Sequence, residues 1–261
     1  MPSRLHFIAN SPVAGLAVAE RRVEAPLASV IFVHGALDRG GSFTRVVRRL
    51  ARFDVVVYDR RGYQGSRDLG PVNLTAHVGD LRALIDREAE RGPVLLFGHS
   101  FGGVVTLATV LADPSGANLV INYESPVPWV LRREHFHPLS SDDPPVEAER
   151  FFRRIMGDRA WERLSEPQQD SRRRDGVALL NDLKTVRQAE APFDLADLRV
   201  PMTYAYGDEA EYYRALASAL ERVSPLISTR ELKLAGHAAH LKNAEQLAAL
   251  IDERWAACAS A

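Results

Sequence analysis

The sequence of 261 residues predicts an α/β fold: a mostly parallel eight-stranded sheet with helices on both faces and one helical insertion. Two observations predict it. Short apolar runs ending in small or polar residues recur along the chain, as strands buried on both faces of a parallel sheet do. Between them lie segments whose apolar residues fall three and four apart, the spacing of helices that cover such a sheet. LHFIA (5–9) and GLAVAERRV (15–23), joined through Asn-Ser-Pro, read as an opening antiparallel pair. ASVIFVHG (28–35), FDVVVYDR (53–60), PVLLFGHS (93–100), NLVINYES (118–125) and PMTYAYGD (201–208) read as parallel strands, with STRELKLAGH (228–237) as the last. Among the helices, 74–90 gathers Leu74, Val78, Leu81, Leu84 and Ile85 on one face, and 102–114 is apolar almost throughout, so it must be buried. The segments 211–223 and 244–258 complete the set.

This alternation stops between about Pro126 and Arg199, where the chain turns rich in Pro, Arg and Glu. Helical pieces at 146–157 and 175–186 predict an insertion spanning 126–199, within a core domain formed by 1–125 and 200–261. No internal repeat or low-complexity segment interrupts it. A net charge of −1 gives no electrostatic footprint for nucleic acid or an anionic membrane surface. Lysine occurs only at 184, 233 and 242, and the run Arg172-Arg173-Arg174, with acidic residues nearby, reads as a solvated helix face. The lone cysteine, Cys258, permits no intrachain disulfide and fits a reducing compartment. The first residues lack the pattern of a secretory signal, and no apolar run reaches the length of a membrane span. The expectation is a cytoplasmic protein whose partner is a small molecule rather than a nucleic acid or a membrane.

In a doubly wound sheet, ligands sit outside the carboxyl ends of the strands, so strand ends are where chemistry should be sought. Gly98-His99-Ser100-Phe101-Gly102 fits G-x-S-x-G, between a strand and a helix as that motif requires. A turn this sharp strains its central residue, and side chains on the flanking positions would collide. Ser100 then projects at a helix N-terminus, where N–H groups favour developing negative charge. A nucleophilic hydroxyl needs a base, and His237 follows the last strand at the same sheet edge. His240, about a turn later, competes with it but also reads as a helix-start or packing histidine. His6 and His77 sit on early elements, and His135 and His137 lie in the insertion without a matched ligand cluster, so no metal or other cofactor is expected. Oxyanion donors should be the backbone N–H groups of Phe101 and Ala36, with Leu37 as the alternative to Ala36, while His34 braces their loop.

HGA (34–36), YDRRGYQGS (58–66), GHSFGG (98–103) and AGHAAH (235–240) together resemble the α/β-hydrolase family, and the resemblance covers almost the whole chain. It implies a nucleophile elbow, an oxyanion hole, a cap formed by the insertion, and a catalytic triad in the order Ser, acid, His. It also implies a structural role for Asp59 and Arg60, which match the family's D-x-R-G-x-G-x-S turn. The acid departs from the usual pattern. Most relatives carry it at the third residue after the glycine ending the seventh strand, which here is Ala210. Alanine cannot orient an imidazole. Asp208, Glu209 and Glu211 are near, but each requires a shifted loop. Glu124 ends the sixth strand, a position similar to that of the acid in haloalkane dehalogenases. A carboxylate there is costly unless paired, and an imidazolium forming on His237 would pair with it. Glu124 is therefore the expected acid, with Asp208 or Glu209 as alternatives; a purely structural Glu124 would instead bridge to Arg132 or Arg133.

Trp129, Phe136, Phe151, Phe152, Met156 and Trp161 supply the insertion's large apolar side chains, and Trp129, close after Glu124, is the candidate to contact substrate. The resemblance implies hydrolysis of an ester, thioester or lactone of a small to medium apolar substrate through an acyl-Ser100 intermediate. Carbon–carbon bond hydrolases share the triad, and a non-catalytic ligand-binding protein could share the fold. Epoxide and haloalkane substrates are disfavoured, since the elbow carries Ser rather than Asp.

Overall fold

The computed structural model describes residues 6–8, 13–132 and 141–260; Arg133, His135, Phe136 and His137 lie outside them. Eight strands form one sheet: β1 (His6–Ile8), β2 (Val18–Arg21), β3 (Ser29–Val33), β4 (Asp54–Tyr58), β5 (Val94–His99), β6 (Leu119–Tyr123), β7 (Met202–Gly207) and β8 (Ile227–Leu232). Their spatial order is β1-β2-β4-β3-β5-β6-β7-β8. β1 pairs antiparallel with β2 and β2 with β4; the other pairings are parallel. From β3 the chain steps to β4 on one side and then crosses back to β5 on the other. The connections leaving β3 and β5 therefore head to opposite sides of the sheet, the switch point at whose carboxyl edge ligands sit in such folds. Register brings the strand ends level there: Val33 lies opposite Gly98, and His99 opposite Tyr123.

The central strands read as continuous apolar runs because both faces are covered. Ile31, Val33, Val56 and Leu96 point into one core, beneath α2 (Leu74–Ala89), α3 (Phe101–Ala112) and α8 (Glu211–Glu221). Val30, Phe32, Val55 and Phe97 point into the other, beneath α1 (Thr44–Val47) and α10 (Ala244–Ala259). Each such side chain, fully buried, contributes roughly 1.5–3 kcal/mol. Helix starts follow local chemistry, as where the Asn73 side chain accepts from the Ala76 N–H at 2.9 Å to cap α2. No helix among the described residues is long and apolar enough to cross a membrane.

Between β6 and β7 the chain forms α4 (Pro144–Met156), α5 (Asp158–Glu162), α6 (Glu166–Arg174) and α7 (Gly176–Val186), whereas the short α9 (Ala239–Lys242) follows β8. Ala148, Phe152, Trp161, Leu179 and Leu183 give this insertion a small core, which also takes in Leu37 from the loop after β3. α4 and α7 lie where apolar spacing predicts helices. α5 and α6 do not, because α6 buries none of its residues and has no apolar stripe to read. A capping box between Ser165 and Gln168 starts it instead. The insertion is tied down by charge. Buried Arg60 pairs with Asp182 of α7 at 2.6 Å, and the Tyr63 hydroxyl donates to the same carboxylate at 2.6 Å. Burial alone would raise the Asp182 carboxyl, but the Arg60 charge and the His77 hydrogen bond hold it down at about 2. Asp59 accepts from the N–H groups of Gly40 at 2.9 Å and Gly65 at 3.1 Å, which fixes the turn after β4.

Candidate active site

Three loops converge at the carboxyl edge of the sheet. The first is the elbow after β5. Ser100 has φ 52 and ψ −125, outside the regions that L residues ordinarily occupy. Its N–H donates to the Tyr123 carbonyl at 2.9 Å, and its own carbonyl accepts from the Gly103 N–H at 2.9 Å, so the strain is held by backbone bonds on both sides. The glycines are sterically required. A methyl on Gly98 would stand 2.6 Å from the Gly103 Cα, and one on Gly102 would stand 2.6 Å from the Val33 carbonyl carbon. The second loop follows β3, where Gly35 passes so close that a methyl there would come 2.9 Å from the Ser100 Cβ. Leu37 of this loop is also left-handed, with φ 54.

The third loop follows β8 and carries His237. Its Nδ1 lies 2.8 Å from Oε2 of Glu124, which is fully buried, while the imidazole keeps 28% of its surface exposed. The other carboxylate oxygen, Oε1, accepts from the Gly207 N–H at 3.0 Å. Glu124 holds its position with φ 46 at the end of β6, and its N–H donates to the Ala205 carbonyl at 2.9 Å. Both oxygens of the acid are thus used, one on a neighbouring strand end and one on the imidazole. The structure brings Glu124 to His237 and leaves Asp208 elsewhere. Asp208 Oδ1 accepts from the Ala235 N–H at 3.3 Å, and the loop's backbone donors lower its carboxyl. Glu209 is exposed, with its carboxylate over Gly236. Among the described residues no hydrogen bond or ion pair joins Arg132 to Glu124, both of whose oxygens are engaged as above.

Ser100 and His237 line one cavity of about 140 Å³. Its wall includes Gly35, Ala36 and Leu37 from the loop after β3, and Phe151, Phe152, Ile155 and Met156 from α4. Ala36 is thus at the cavity, and Phe101 opens α3 directly after Ser100, which leaves its side chain in the core and its backbone at the helix N-terminus. Trp129 does not line this cavity. Its indole N–H donates to the Gln188 carbonyl at 3.1 Å and its ring packs edge-on against Phe193, so it fastens the start of the insertion to its return. Trp161 is buried against Phe152 in the insertion's own core.

A second cluster borders the cavity, and sequence spacing alone did not join its parts. The His99 Nε2–H donates to the His237 carbonyl at 2.9 Å, and the His99 ring lies 4.4 Å from that of His240. His240 Nε2 in turn lies 3.4 Å from Asp38, which also accepts from Ser42 Oγ at 2.9 Å. Burial works against a charged Asp38, yet the hydrogen bond and charge of His240 hold the carboxyl well below its usual range. Burial, then His240 and His237, push His99 far below its usual value, so it stays neutral. Asp38, His99 and His240 have ligand-type atoms within 4.8 Å of one another, the grouping among the described residues that most resembles a metal-binding set. Within it Asp38 is paired with both Ser42 and His240. Its effect is to link the loop carrying Ala36 to the loop carrying His237. His34 sits behind these loops, with Nδ1 donating to the Gly35 carbonyl at 2.8 Å and Nε2 accepting from the Arg60 N–H at 2.9 Å.

A strained serine between strand and helix, sharing a cavity with an imidazole that is itself tied to a buried carboxylate at a sheet edge, defines the nucleophile-elbow class of α/β proteins. The chain belongs to the alpha/beta hydrolase family, whose model matches residues 30–250. It is 33% identical to the lipase LipV of Mycobacterium tuberculosis over 87 residues, a stretch covering 33% of this chain and 33% of that protein. Among solved structures it is similar to an esterase from Exiguobacterium antarcticum, with TM-score 0.68 and 17% identity over 97% of this chain and 99% of that one. It is also similar to an N-formylmaleamic acid deformylase from Pseudomonas putida S16, with TM-score 0.66 and 20% identity over 90% of this chain and 94% of that one. At these identities the two structures speak to the fold.

Proposed function

We propose that the protein is a serine hydrolase that cleaves an ester, thioester or lactone of a small, largely apolar substrate through an acyl-Ser100 intermediate. The observation that carries this reading is the 2.8 Å contact from Glu124 to His237 Nδ1, beside a strained Ser100 in the same cavity. A carboxylate only accepts, so in this reading Nδ1 carries the proton and Nε2 keeps a lone pair. In the proposed reaction Nε2 takes the Ser100 hydroxyl proton as Oγ bonds to the substrate carbonyl carbon. The carbonyl π electrons move onto oxygen, which the N–H groups of Ala36 and Phe101 stabilise. The tetrahedral adduct re-forms its carbonyl, the bond to the leaving oxygen or sulfur breaks, and the imidazolium returns its proton to that atom. Water then repeats the sequence on the acyl group, releasing the acid and restoring Ser100.

Residues 126–199 act as the cap in this reading. Support comes from Phe151, Phe152, Ile155 and Met156, which wall the cavity from α4. A cavity near 140 Å³ is close to benzene-sized and favours a short acyl group. The test is labelling with a fluorophosphonate probe, read by intact mass, alongside hydrolysis of short-chain nitrophenyl esters. One adduct and measurable turnover, both lost in Ser100→Ala, are expected. Wild-type protein that neither labels nor turns over would instead favour a non-catalytic binder.

A further inference from the structure

Arg172 belongs to the run Arg172-Arg173-Arg174, yet it does not share its neighbours' role. Arg173 faces outward and pairs with Glu149 at 2.8 Å and Asp170 at 2.9 Å. Arg172 turns inward and lines the cavity with Ser100 and His237. Its Nη1 donates to the Leu37 carbonyl at 2.6 Å, and its Cζ lies 5.5 Å over the Phe152 ring. Its Nε is buried with no acceptor, and no carboxylate among the described residues pairs with it. Arg39, on the loop after β3, likewise has a buried Nε without an acceptor. Burial, and then repulsion from Arg39, pull the Arg172 guanidinium down to about 10, although Asp38, Asp175 and Asp59 act the other way. Asp38, the acid that shares the cavity, is already engaged by Ser42 and His240.

A partly buried guanidinium short of anionic partners is a costly arrangement unless something else supplies the charge. With Nη1 committed to Leu37, the edge left is the one formed by Nε and Nη2. Its two parallel N–H groups match the two oxygens of a carboxylate. Phe151, Ile155, Met156 and Leu241 line the same cavity as Arg172 and Ser100 and give it an apolar wall. We propose that the preferred substrate is a half-ester of a short dicarboxylic acid, whose free carboxylate binds the Nε–Nη2 edge of Arg172 while its ester carbonyl faces Ser100. The acyl half stays on Ser100 through both chemical steps, so a carboxylate there is held throughout. This rests on the hydrolase reading above and assigns its substrate class.

The experiment compares methyl hydrogen glutarate with methyl pentanoate, which have acyl chains of equal length, by pH-stat in the wild type, Arg172→Met and Arg172→Lys. Each variant is first checked for native circular dichroism. The wild type should prefer the carboxylated ester by roughly tenfold or more in kcat/KM, as a charge-assisted bidentate contact implies. The ratio should fall to about one in Arg172→Met and lie between in Arg172→Lys, which keeps the charge but loses the two-pronged edge. Glutarate itself should raise the thermal midpoint of the wild type and leave that of Arg172→Met unchanged, a readout that needs no turnover. Ser100-dependent hydrolysis of methyl pentanoate with no preference for the glutarate ester, or a preference that survives Arg172→Met, overturns this inference and leaves the hydrolase reading intact. Absence of both hydrolysis and fluorophosphonate labelling overturns the two together.

Discussion

Replacing Glu124 with Gln tests the least conventional part of the site. The carboxylate serves two donors, the His237 Nδ1–H at 2.8 Å and the Gly207 N–H at 3.0 Å. A carboxamide of the same shape has one acceptor. If its oxygen stays on Gly207, its NH₂ faces Nδ1 and drives the imidazole proton to Nε2, where it blocks acceptance from Ser100. If its oxygen faces Nδ1, an unmatched N–H pair is left against Gly207, and the imidazolium formed during the reaction still lacks its counter-charge. At 2.8 Å that charge pair is worth about 6 kcal/mol with an effective dielectric near 20. A decade of rate is about 1.4 kcal/mol, so kcat should fall by roughly four orders of magnitude. Steady-state hydrolysis of a short nitrophenyl ester measures it, with circular dichroism to verify the fold. Asp208→Asn and Glu209→Gln should stay within about threefold of the wild type, since neither residue touches His237. A Glu124→Gln variant within about tenfold of the wild type would refute the reasoning.

Gly102→Ala would drive a methyl onto the Val33 carbonyl, whose carbon would lie 2.6 Å away, and should cost about 1–3 kcal/mol, seen as a lowered thermal midpoint with much reduced activity. Asp182→Asn leaves Arg60 buried without its charge partner and should destabilise the fold by about 3 kcal/mol or more, or roughly 6–12 °C in a thermal scan; an unchanged midpoint would remove this ion pair from the account. Burial, then the Arg60 charge, lower His34 to about 3, so between pH 6.5 and 3 the unfolded chain binds a proton that the native state does not. Stability is therefore full above pH 6.5 and declines as pH falls through that window. Chemical denaturation at pH 7 and pH 5 should show the loss, and it should be smaller in His34→Gln; an equal loss in both would reassign it to other groups.

The fold was legible because its strands are buried on both faces and its helices carry regular apolar spacing. Runs such as SVIFV and VLLFGH leave few other readings. The geometry of the elbow was equally open to reading, since the glycines around Ser100 are demanded by backbone contacts no side chain could survive. The position of Glu124 beside His237 followed from an empty place, Ala210, where a carboxylate is usual. What escaped was whatever depends on how loops pack. Trp129 lies close to Glu124 in sequence but turns away to Phe193. Asp38, His99 and His240 come from the loop after β3, the end of β5 and α9, and no spacing announces that they meet. Arg172 looked like one more charge in a solvated run, and only the tertiary fold turns it toward Ser100. α6 escaped because capping and ion pairs, rather than an apolar stripe, sustain it.

The central claim is that Ser100 carries the acyl group and that His237, oriented by Glu124, activates it. Rapid-quench peptide mass spectrometry with nitrophenyl acetate tests it most directly. The account predicts a pre-steady-state burst of about one nitrophenol per protein. It also predicts a single acetyl on the peptide containing residues 93–105, absent in Ser100→Ala and formed orders of magnitude more slowly in Glu124→Gln. An acetyl on another residue, or acylation of Ser100 at an undiminished rate in Glu124→Gln, would contradict it.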